Sequence, residues 1–369
     1  MTRAHSSIVL GCLPETLVPC RPAPVVCFSS MVGLEARLSQ RGPTLPHVTT
    51  SARWTRAFVV FVITWGVVVY GIHVPFAAEE LQPKLFGEGV FSTGAYDFFV
   101  ALTPDQKTAY LCRASADFGY WTILETQKRD GRWSTPTMAA FSGRWSDADP
   151  HLSPDGSKLF FISNRPDSGD APKASCDLWM MERTGQGWGR PRALGEICTD
   201  VTEWSPSVAA NGNLYFGATR EGGKGRDDIW MSRFEGGRYA APVNLGDSIN
   251  TKFGEVEPWI SPDEHYLIFS AGGRADGKGG LDLYISFNRD GVWSSARSLG
   301  HGINSASWDF NPSVSPDGRT FYFTSARSSL ASPPASRMSY EDLTRRLQSP
   351  GNGLGDIYSI PIEALEIPR

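Results

Sequence analysis

Short apolar segments recur along most of the chain, each followed by a polar turn and a second apolar segment. Five stretches share this pattern: VALTPDQKTAYLCR (100–113), PHLSPDGSKLFFISNR (150–165), PSVAANGNLYFGATR (206–220), PWISPDEHYLIFSAGGR (258–274) and PSVSPDGRTFYFTSAR (312–327). Each has the pattern of a strand, a Pro-Asp-Gly-like turn and a strand rich in Phe, Tyr and Ile, which predicts a β-hairpin. Their spacing of about 50 residues indicates an internal repeat.

A second hairpin follows the first in each repeat. Four of these are WTILETQKRDGRW (121–133), DLWMMERTGQGW (177–188), DIWMSRFEGGRY (228–239) and DLYISFNRDGVW (282–293). Four antiparallel strands per repeat predict one blade of a β-propeller. The last repeat ends after a third strand, DIYSIPIEAL (356–365), and QPKLFGEGV (82–90) has the pattern of an outer strand. We therefore predict an all-β, five-bladed propeller of four-stranded blades, closed by an N-terminal strand that completes the last blade.

The repeat resembles the WD-like β-propeller repeat of the TolB type, through its Ser-Pro-Asp-Gly hairpins followed by Asp-Leu-Tyr or Asp-Ile-Trp strands. The resemblance covers about residues 82–365, and it implies a propeller and often an exported protein. It implies little about chemistry, because propellers carry many functions. We expect one propeller domain over residues 79–369, with an insertion at 328–355 in which a Ser-x-x-Asp pattern predicts a short helix.

The chain before residue 79 has a different character. Residues 57–72 form an uncharged apolar run that follows Arg53 and Arg56 and precedes small residues, which is the layout of a secretory signal peptide. The run is shorter than the about 20 residues that span a bilayer. We predict a leader over residues 1–78, cleaved near Ala77 or Ala78, and the alternative is a retained membrane anchor at 57–72. Both alternatives export the propeller, which places it in the periplasm.

Composition narrows the function classes. The 369 residues are 41% hydrophobic, which excludes a disordered chain, and 38 Gly with 26 Pro favour turn-rich β structure. A net charge of -4 argues against a nucleic-acid partner. No sequence motif indicates a cofactor or a metal, and we expect none. Cys176 and Cys198 flank one predicted hairpin at a spacing that suits neighbouring strands, so we predict a disulfide between them.

Acidic residues recur on one face of the predicted propeller. Every repeat has an acid three residues before the inner-strand Pro position and an Arg at the end of the second strand. The acids are Asp97, Asp147, Glu203, Glu255 and Asp309, and the arginines are Arg113, Arg165, Arg220, Arg274 and Arg327. Such pairs can join the strands of the fold, since the Arg guanidinium forms bidentate hydrogen bonds with carboxylates. With Trp145, Trp204, Trp259 and Trp308, expected at the same mouth, the acids are also candidate ligand-binding residues.

Three further residues break the symmetry of the repeat. Asp149, Glu257 and His151 lie deeper in the inner strands and occur only in particular repeats. Since the fold does not require them, they are our candidates for catalytic residues. Five-bladed propellers include glycoside hydrolases that use inner-strand carboxylates, a chemistry that needs two acids at a defined separation.

We predict an exported binding or scaffold protein of the cell envelope, which recognises a protein or glycan partner at a propeller face. Membrane contact is expected only through a retained N-terminal anchor. The alternative is a glycoside hydrolase-like enzyme with its site in the central funnel. An enzyme needs carboxylates that lack an Arg partner and converge on a cleft, whereas a binding module can have every acid paired.

Overall fold

The computed structural model describes residues 57–63, 66–72, 81–300, 302–330, 332 and 334–368. The described residues divide into two compact units: 57–63, 66–72, 81 and 82 belong to one, and the described residues from Pro83 onward belong to the other. In the first unit, strands β1 (Ala57–Ile63) and β2 (Gly66–Ile72) form an antiparallel pair. The rest of the predicted leader, with its cleavage site, lies outside the described residues. Within the described part of the chain, no helix is long and apolar enough to cross a membrane.

The second unit is a five-bladed β-propeller of four-stranded antiparallel blades, as the repeat predicts. The fifth blade takes its outermost strand, β3 (Lys84–Leu85), from the N-terminal side. The innermost strands are β4 (Tyr96–Leu102), β9 (Asp147–Leu152), β14 (Glu203–Val208), β20 (Gly254–Ile260) and β25 (Asp309–Val314). The second strands are β5 (Thr108–Ala114), β10 (Lys158–Ser163), β15 (Leu214–Ala218), β21 (Tyr266–Gly272) and β26 (Thr320–Ser325).

The outer half of each blade is built from a third strand and a short fourth strand. The third strands are β6 (Trp121–Arg129), β11 (Asp177–Thr184), β16 (Asp228–Ser232), β22 (Asp282–Arg289) and β27 (Asp356–Pro361). The outermost strands of the first four blades are β8 (Thr137–Met138), β13 (Arg192–Ala193), β19 (Val243–Asn244) and β24 (Arg297–Ser298). Short strands extend the turns between them: β7 (Arg132–Trp133), β12 (Gly187–Trp188), β17 (Phe234–Glu235), β18 (Arg238–Tyr239) and β23 (Val292–Trp293).

The N-terminal strand closes the ring, which confirms the predicted closure. Leu85 lies opposite Tyr358, and the Phe86 N–H donates to the Ile357 carbonyl at 2.8 Å. Just beyond this strand, the fully buried Phe91 packs in a cluster that includes Tyr322 and Ile357 of the fifth blade. The closing segment therefore contributes backbone pairing and a core side chain, and the ring has no open edge at this blade.

The Pro-Asp-Gly turns form through contacts between residues close in sequence. In the second blade, the Ser153 hydroxyl donates to Asp155 at 2.5 Å, and the same carboxylate oxygen accepts from the Ser157 N–H at 2.9 Å. The turns at Asp105, Asp263 and Asp317 have the same contacts. Because a short polar side chain that bonds its own backbone favours a turn wherever it occurs, these hairpins are predictable from local sequence.

The fifth blade contains the insertion, and it forms the helix that the capping pattern predicts. Helix α1 (Tyr340–Leu347) begins after Ser339, whose hydroxyl accepts from the Asp342 N–H at 3.0 Å. No residue of α1 is buried. A 3-10 helix (Ile362–Leu365) follows the last strand and buries Leu365. The insertion is therefore an excursion from the blade rather than part of its core.

A polar side chain closes each blade against the backbone of its third strand. It belongs to the residue that follows a Phe or Ile in the connection to the next blade, and this Phe or Ile is buried in four blades and half-buried at Phe141. Ser92, Ser142, Cys198, Asn250 and Asn304 accept from the N–H groups of Ile357, Ile123, Leu178, Ile229 and Leu283 at 2.9, 3.1, 3.3, 2.8 and 2.8 Å. Cys198 thus occupies a structural position that is Ser or Asn in the other four blades.

This role bears on the Cys176–Cys198 disulfide, which stays a prediction. The Cys176–Cys198 bridge is not formed in the structure, in which Cys198 is a thiol that caps Leu178. Burial, together with the nearby Glu203 carboxylate, raises the pKa of the Cys198 thiol well above its ordinary value.

Candidate functional site

The repeated acids and arginines pair within every blade, as the sequence allows. The shortest nitrogen–oxygen distances are 2.6 Å for Arg113–Asp97, 2.6 Å for Arg165–Asp147, 3.2 Å for Arg220–Glu203, 2.9 Å for Arg274–Glu255 and 3.0 Å for Arg327–Asp309. All five acid side chains are fully buried. Burial raises the pKa of Asp97 and of Glu203 more than the neighbouring guanidinium lowers it.

The arginines make further contacts that tie neighbouring parts of the fold together. Arg165 also donates to the Phe141 carbonyl at 3.0 Å, and Arg327 donates to the Ile303 carbonyl at 2.6 Å. The Arg165 guanidinium lies over the Phe161 ring at 4.8 Å from its centroid. Each cation is therefore held by a carboxylate, a backbone carbonyl and, in four blades, an aromatic ring. This geometry gives the repeated pairs a structural role.

Sequence reasoning missed one partner of these acids. In four blades a Ser or Thr four residues before the acid donates its hydroxyl to the carboxylate, and these residues are Thr93, Thr199, Thr251 and Ser305. In the second blade Ser142, five residues before Asp147, replaces it at 2.8 Å. The signal was visible in the chain as a hydroxyl residue at a constant offset from each acid.

Asp149 and Glu257 occupy a special backbone position of the inner strands. Two residues after each repeated acid the strand bulges, and the bulge residue has a positive φ: Phe99 (57°), Asp149 (54°), Ser205 (47°), Glu257 (55°) and Asn311 (47°). Positive φ is costly for residues other than Gly, least so for Asn and Asp. Because the bulge occurs in all five blades, it belongs to the fold, and only the identity of its side chain varies.

Each of the two bulge carboxyls accepts from a backbone N–H of the next blade and from a serine hydroxyl rather than from an arginine, and the serine that bonds Glu257 belongs to the same blade as Glu257. Asp149 accepts from the Ser205 hydroxyl at 2.6 Å and from the Ser205 N–H at 3.2 Å. Glu257 accepts from the Ser270 hydroxyl at 2.6 Å and from the Asn311 N–H at 2.9 Å. Among the described residues, neither has a salt-bridge partner.

The environment of these carboxyls favours their protonated forms. Burial raises the pKa of Asp149 to about 6 against the opposing hydrogen bonds from Ser205. Burial also raises the pKa of Glu257 to about 7, and the charge of Asp149 adds to that rise. The charge of Asp149 thus acts on Glu257, and carboxyls with raised pKa values of this kind occur at functional sites as well as in structural networks.

His151 and Trp259 lie deeper than the predicted mouth. Both line a cavity of about 150 Å³ at the centre of the ring, to which the inner strands of all five blades contribute and which extends to the Pro-Asp-Gly turns. Trp259 is 8% exposed and packs on Tyr266 with ring centroids 5.7 Å apart. Burial lowers the pKa of His151 to about 4, against a hydrogen bond to the Val208 backbone, so its imidazole is neutral at physiological pH.

The remaining predicted aromatics lie nearer the surface. Trp145 and Trp204 are half-buried, and the Arg144 guanidinium lies 4.6 Å from the centre of the Trp145 ring. Trp308 is 45% exposed. The structure therefore separates the predicted set: the repeated acids are buried in ion pairs, Asp149 and Glu257 lie at the bulges, and Trp259 and His151 line the cavity. Among the described residues, no group of three His, Cys, Asp or Glu side chains is placed to hold a metal ion.

The ring has two distinct faces. We name the connection face as the one on which the links between blades and the loops between second and third strands emerge, and the turn face as the opposite one. The connection face carries seven exposed large apolar residues, which are Tyr120, Val201, Phe253, Trp308, Tyr340, Leu343 and Leu347. Val292 lies on the turn face, and the other exposed large apolar residues of the described part are Leu81, which precedes β3, and Met138 and Val243, which lie in outermost strands.

Comparison with known proteins supports no assignment by sequence, since no family profile and no curated protein matches the chain. Solved structures with low similarity include TolB from Acinetobacter baumannii, with 15% identity, 72% of this chain and 54% of that chain covered, and a TM-score of 0.41. A puromycin-hydrolyzing peptidase from Mycobacterium tuberculosis has 14% identity and a TM-score of 0.35, with 77% of this chain and 43% of that chain covered. An alpha-L-arabinofuranosidase from Lactobacillus brevis has 12% identity and a TM-score of 0.43, with 74% of this chain and 92% of that chain covered.

Fold and site together define a five-bladed β-propeller protein with a ring of buried Arg–carboxylate pairs. TolB is among its structural neighbours, and the chain spans about half the length of that protein. At these identities and TM-scores, the likenesses say nothing about what this chain binds or does.

Proposed function

We propose that this is an exported binding or scaffold protein of the cell envelope, which recognises a protein or glycan partner with its connection face. The observation that carries the proposal is the concentration of exposed apolar side chains on that face. Tyr340, at 84% exposed, and Trp308 belong to the aromatic types that are enriched in protein interfaces. Exposed apolar side chains gathered on one face of a molecule indicate an interaction surface.

The paired acids support binding over catalysis on this face. Each of the five repeated carboxylates is neutralised by an arginine of its own blade and is closed to solvent. A buried carboxylate held in this way is closed to a substrate, and breaking the ion pair is costly. Recognition at the connection face therefore falls to its loops, whose exposed side chains include the apolar and aromatic residues named above. Export rests on the sequence pattern at 57–72.

The test is a binding screen with matched variants. Full-chain protein is immobilised and exposed to a glycan array and to envelope extract, and retained partners are quantified. We expect Phe253→Ser, on the connection face, to weaken retention of a specific partner by about tenfold, as for an interface hot spot. Val292→Ser, on the turn face, is the control and should retain the partner as the parent does. Absence of any specific partner, or equal loss with both variants, would reject the proposal.

A second function, a carbohydrate-active hydrolase, is favoured by one specific observation. Asp149 and Glu257 are acids without an arginine partner whose pKa values burial raises to about 6 and about 7. A raised pKa suits the general acid of a glycoside hydrolase. The test is release of nitrophenol from a panel of aryl glycosides by the parent and by Glu257→Gln. Activity that Glu257→Gln abolishes supports the enzyme, and a parent without activity on the panel rejects it.

A further inference from the structure

The cavity at the turn-face end of the central channel has an unusual lining for a channel of this size. Aromatic residues Trp259, Tyr266 and Tyr322 line it together with the prolines of four Pro-Asp-Gly turns, which are Pro104, Pro154, Pro262 and Pro316. Among the described residues, no Asp, Glu, Lys or Arg side chain lines it. A charged ligand there would lose its hydration without gaining a counter-charge, so the lining selects for neutral molecules.

One hydroxyl in this cavity has no hydrogen-bond partner. Ser313 is 6% exposed, and its Oγ is buried without a donor or an acceptor. The other serines of the lining are already used, because Ser153 donates to Asp155 and Ser315 donates to Asp317, each at 2.5 Å. A buried hydroxyl without a partner costs about 1–3 kcal/mol, so a ligand that bonds Ser313 would recover that cost.

The volume of the cavity sets the size of its occupant. About 150 Å³ is comparable to engineered apolar protein cavities that hold one benzene molecule. The walls also suit a flat ring, since aromatic pairs pack favourably in tilted and edge-on arrangements. Trp259 and Tyr266 already pack in this manner, with an angle of 36° between their rings.

We propose that this cavity is a binding site for one small, neutral aromatic ring that carries a single polar group, of the phenol or indole class. The ring packs among the prolines and aromatic residues, and its polar group bonds Ser313 once a rotation about χ1 turns the buried hydroxyl into the cavity. His151 adds a neutral polar edge to the same cavity. The site lies at the opposite end of the channel from the connection face, so binding of a small ring here does not depend on partner binding at that face.

The proposal is tested by titrating full-chain protein with phenol, benzene, benzoate and glucose, monitored by ligand-detected NMR. We expect phenol and benzene to bind and benzoate and glucose not to bind. Ser313→Ala removes the hydroxyl and keeps the space, so it should weaken phenol by about fivefold, the loss of one hydrogen bond, and leave benzene unchanged. Ala101→Leu, which fills the cavity, should abolish binding of both rings in protein that thermal unfolding shows to be folded.

Several results would overturn this site. They are a parent protein that does not bind phenol, binding of benzoate or glucose as strong as that of phenol, and a Ser313→Ala variant that weakens phenol and benzene equally. If Ala101→Leu does not fold, the affinities of Ser313→Ala for phenol and for benzene still test whether the Ser313 hydroxyl bonds the ligand. Retention of a partner by Ser313→Ala in the binding screen would show that failure of this site leaves the proposed function intact.

Discussion

Single residues close each blade, and the five closing side chains differ in chemistry but share one contact. Ser92, Ser142, Cys198, Asn250 and Asn304 all accept a hydrogen bond from the third strand. Oxygen acceptors serve in four blades, and sulfur serves in the second. What matters at this position is an acceptor of small size, because the third-strand N–H is buried and loses stability if it is left without a partner.

The first prediction tests this position in the second blade. Cys198→Ser keeps an acceptor for the Leu178 N–H and should change the free energy of unfolding by less than about 0.5 kcal/mol. Cys198→Ala removes the acceptor and should lower it by about 1–3 kcal/mol. Urea denaturation of both variants measures the difference. Equal destabilisation by the two variants, with a parent that reductant also destabilises, would instead indicate a Cys176–Cys198 disulfide.

The second prediction concerns the bulge carboxyls. The folded-state pKa values of Asp149 and Glu257 lie above the ordinary carboxyl range, so folding favours their protonated forms. Asp356, whose pKa burial raises to about 7, acts in the same direction. The contribution of these carboxyls to the free energy of unfolding is fully present at low pH, below their unfolded-state pKa values. It is lost as pH rises through about 6 to 7, where the folded-state carboxyls lose their protons. Burial lowers the pKa of His151 to about 4, so His151 acts in the opposite direction, but the three carboxyls outweigh it and the parent should unfold more easily at pH 7.5 than at pH 5.

Glu257→Gln isolates one part of this effect. The amide does not titrate, so the loss of stability between pH 5 and pH 7.5 should shrink by an amount on the order of 1–2 kcal/mol. The control is Asp170→Asn, which changes a carboxylate that is 85% exposed and should keep the slope of the parent. A Glu257→Gln variant whose pH dependence equals that of the parent would show that Glu257 is ionised throughout this range.

At the scale of elements, two segments outside the regular blade pattern differ in their importance for stability. The N-terminal segment pairs with β27 and buries Phe91, whereas α1 buries none of its residues. Deleting residues 79–92 should lower the free energy of unfolding by several kcal/mol, as expected for loss of a core side chain and a closing strand. Chemical denaturation of the deletion variant measures this change.

The matched control for that deletion is the triple variant Tyr340→Ala, Leu343→Ala and Leu347→Ala. It removes the exposed apolar side chains of α1, so the free energy of unfolding should change by less than about 1 kcal/mol. A deletion of 79–92 that leaves stability unchanged would contradict closure of the ring by the N-terminal strand. A strongly destabilised triple variant would contradict the exposure of α1.

Elements also show which features local sequence can predict. The Ser-Pro-Asp-Gly turns, the Ser339 cap and the outer strand at 84–85 depend on short-range patterns, and all were predictable. The bulge at Asp149 was not, because it arises from how two strands pair: Ala148 faces Ile162, but His151 faces Phe160. An extra residue on one strand changes which side chains share a face. From the sequence we expected Trp259 at the mouth with the other tryptophans, whereas the structure places it in the cavity together with His151.

At the scale of the whole molecule, five equivalent ion pairs leave the chemistry of recognition to residues that the repeat does not specify. The repeated acids were predictable as a set, and their pairing with arginine follows from the repeat itself. Their burial depends on the packing of adjacent blades, which no single segment determines. The apolar residues of the connection face differ from blade to blade, so the face is asymmetric although the ring is nearly symmetric.

The central claim is that the buried acids hold the fold while the exposed loops of the connection face bind the partner. The most direct test uses two adjacent residues of the fifth blade, Trp308 at 45% exposed and Asp309, which is fully buried and paired with Arg327 at 3.0 Å. Unfolding free energy and partner retention per folded molecule are measured for Trp308→Ser and Asp309→Asn. We predict that Asp309→Asn loses about 3 kcal/mol of stability and keeps the partner, and that Trp308→Ser stays stable and loses it. A stable Asp309→Asn that no longer retains the partner, beside a Trp308→Ser that does, would contradict the account.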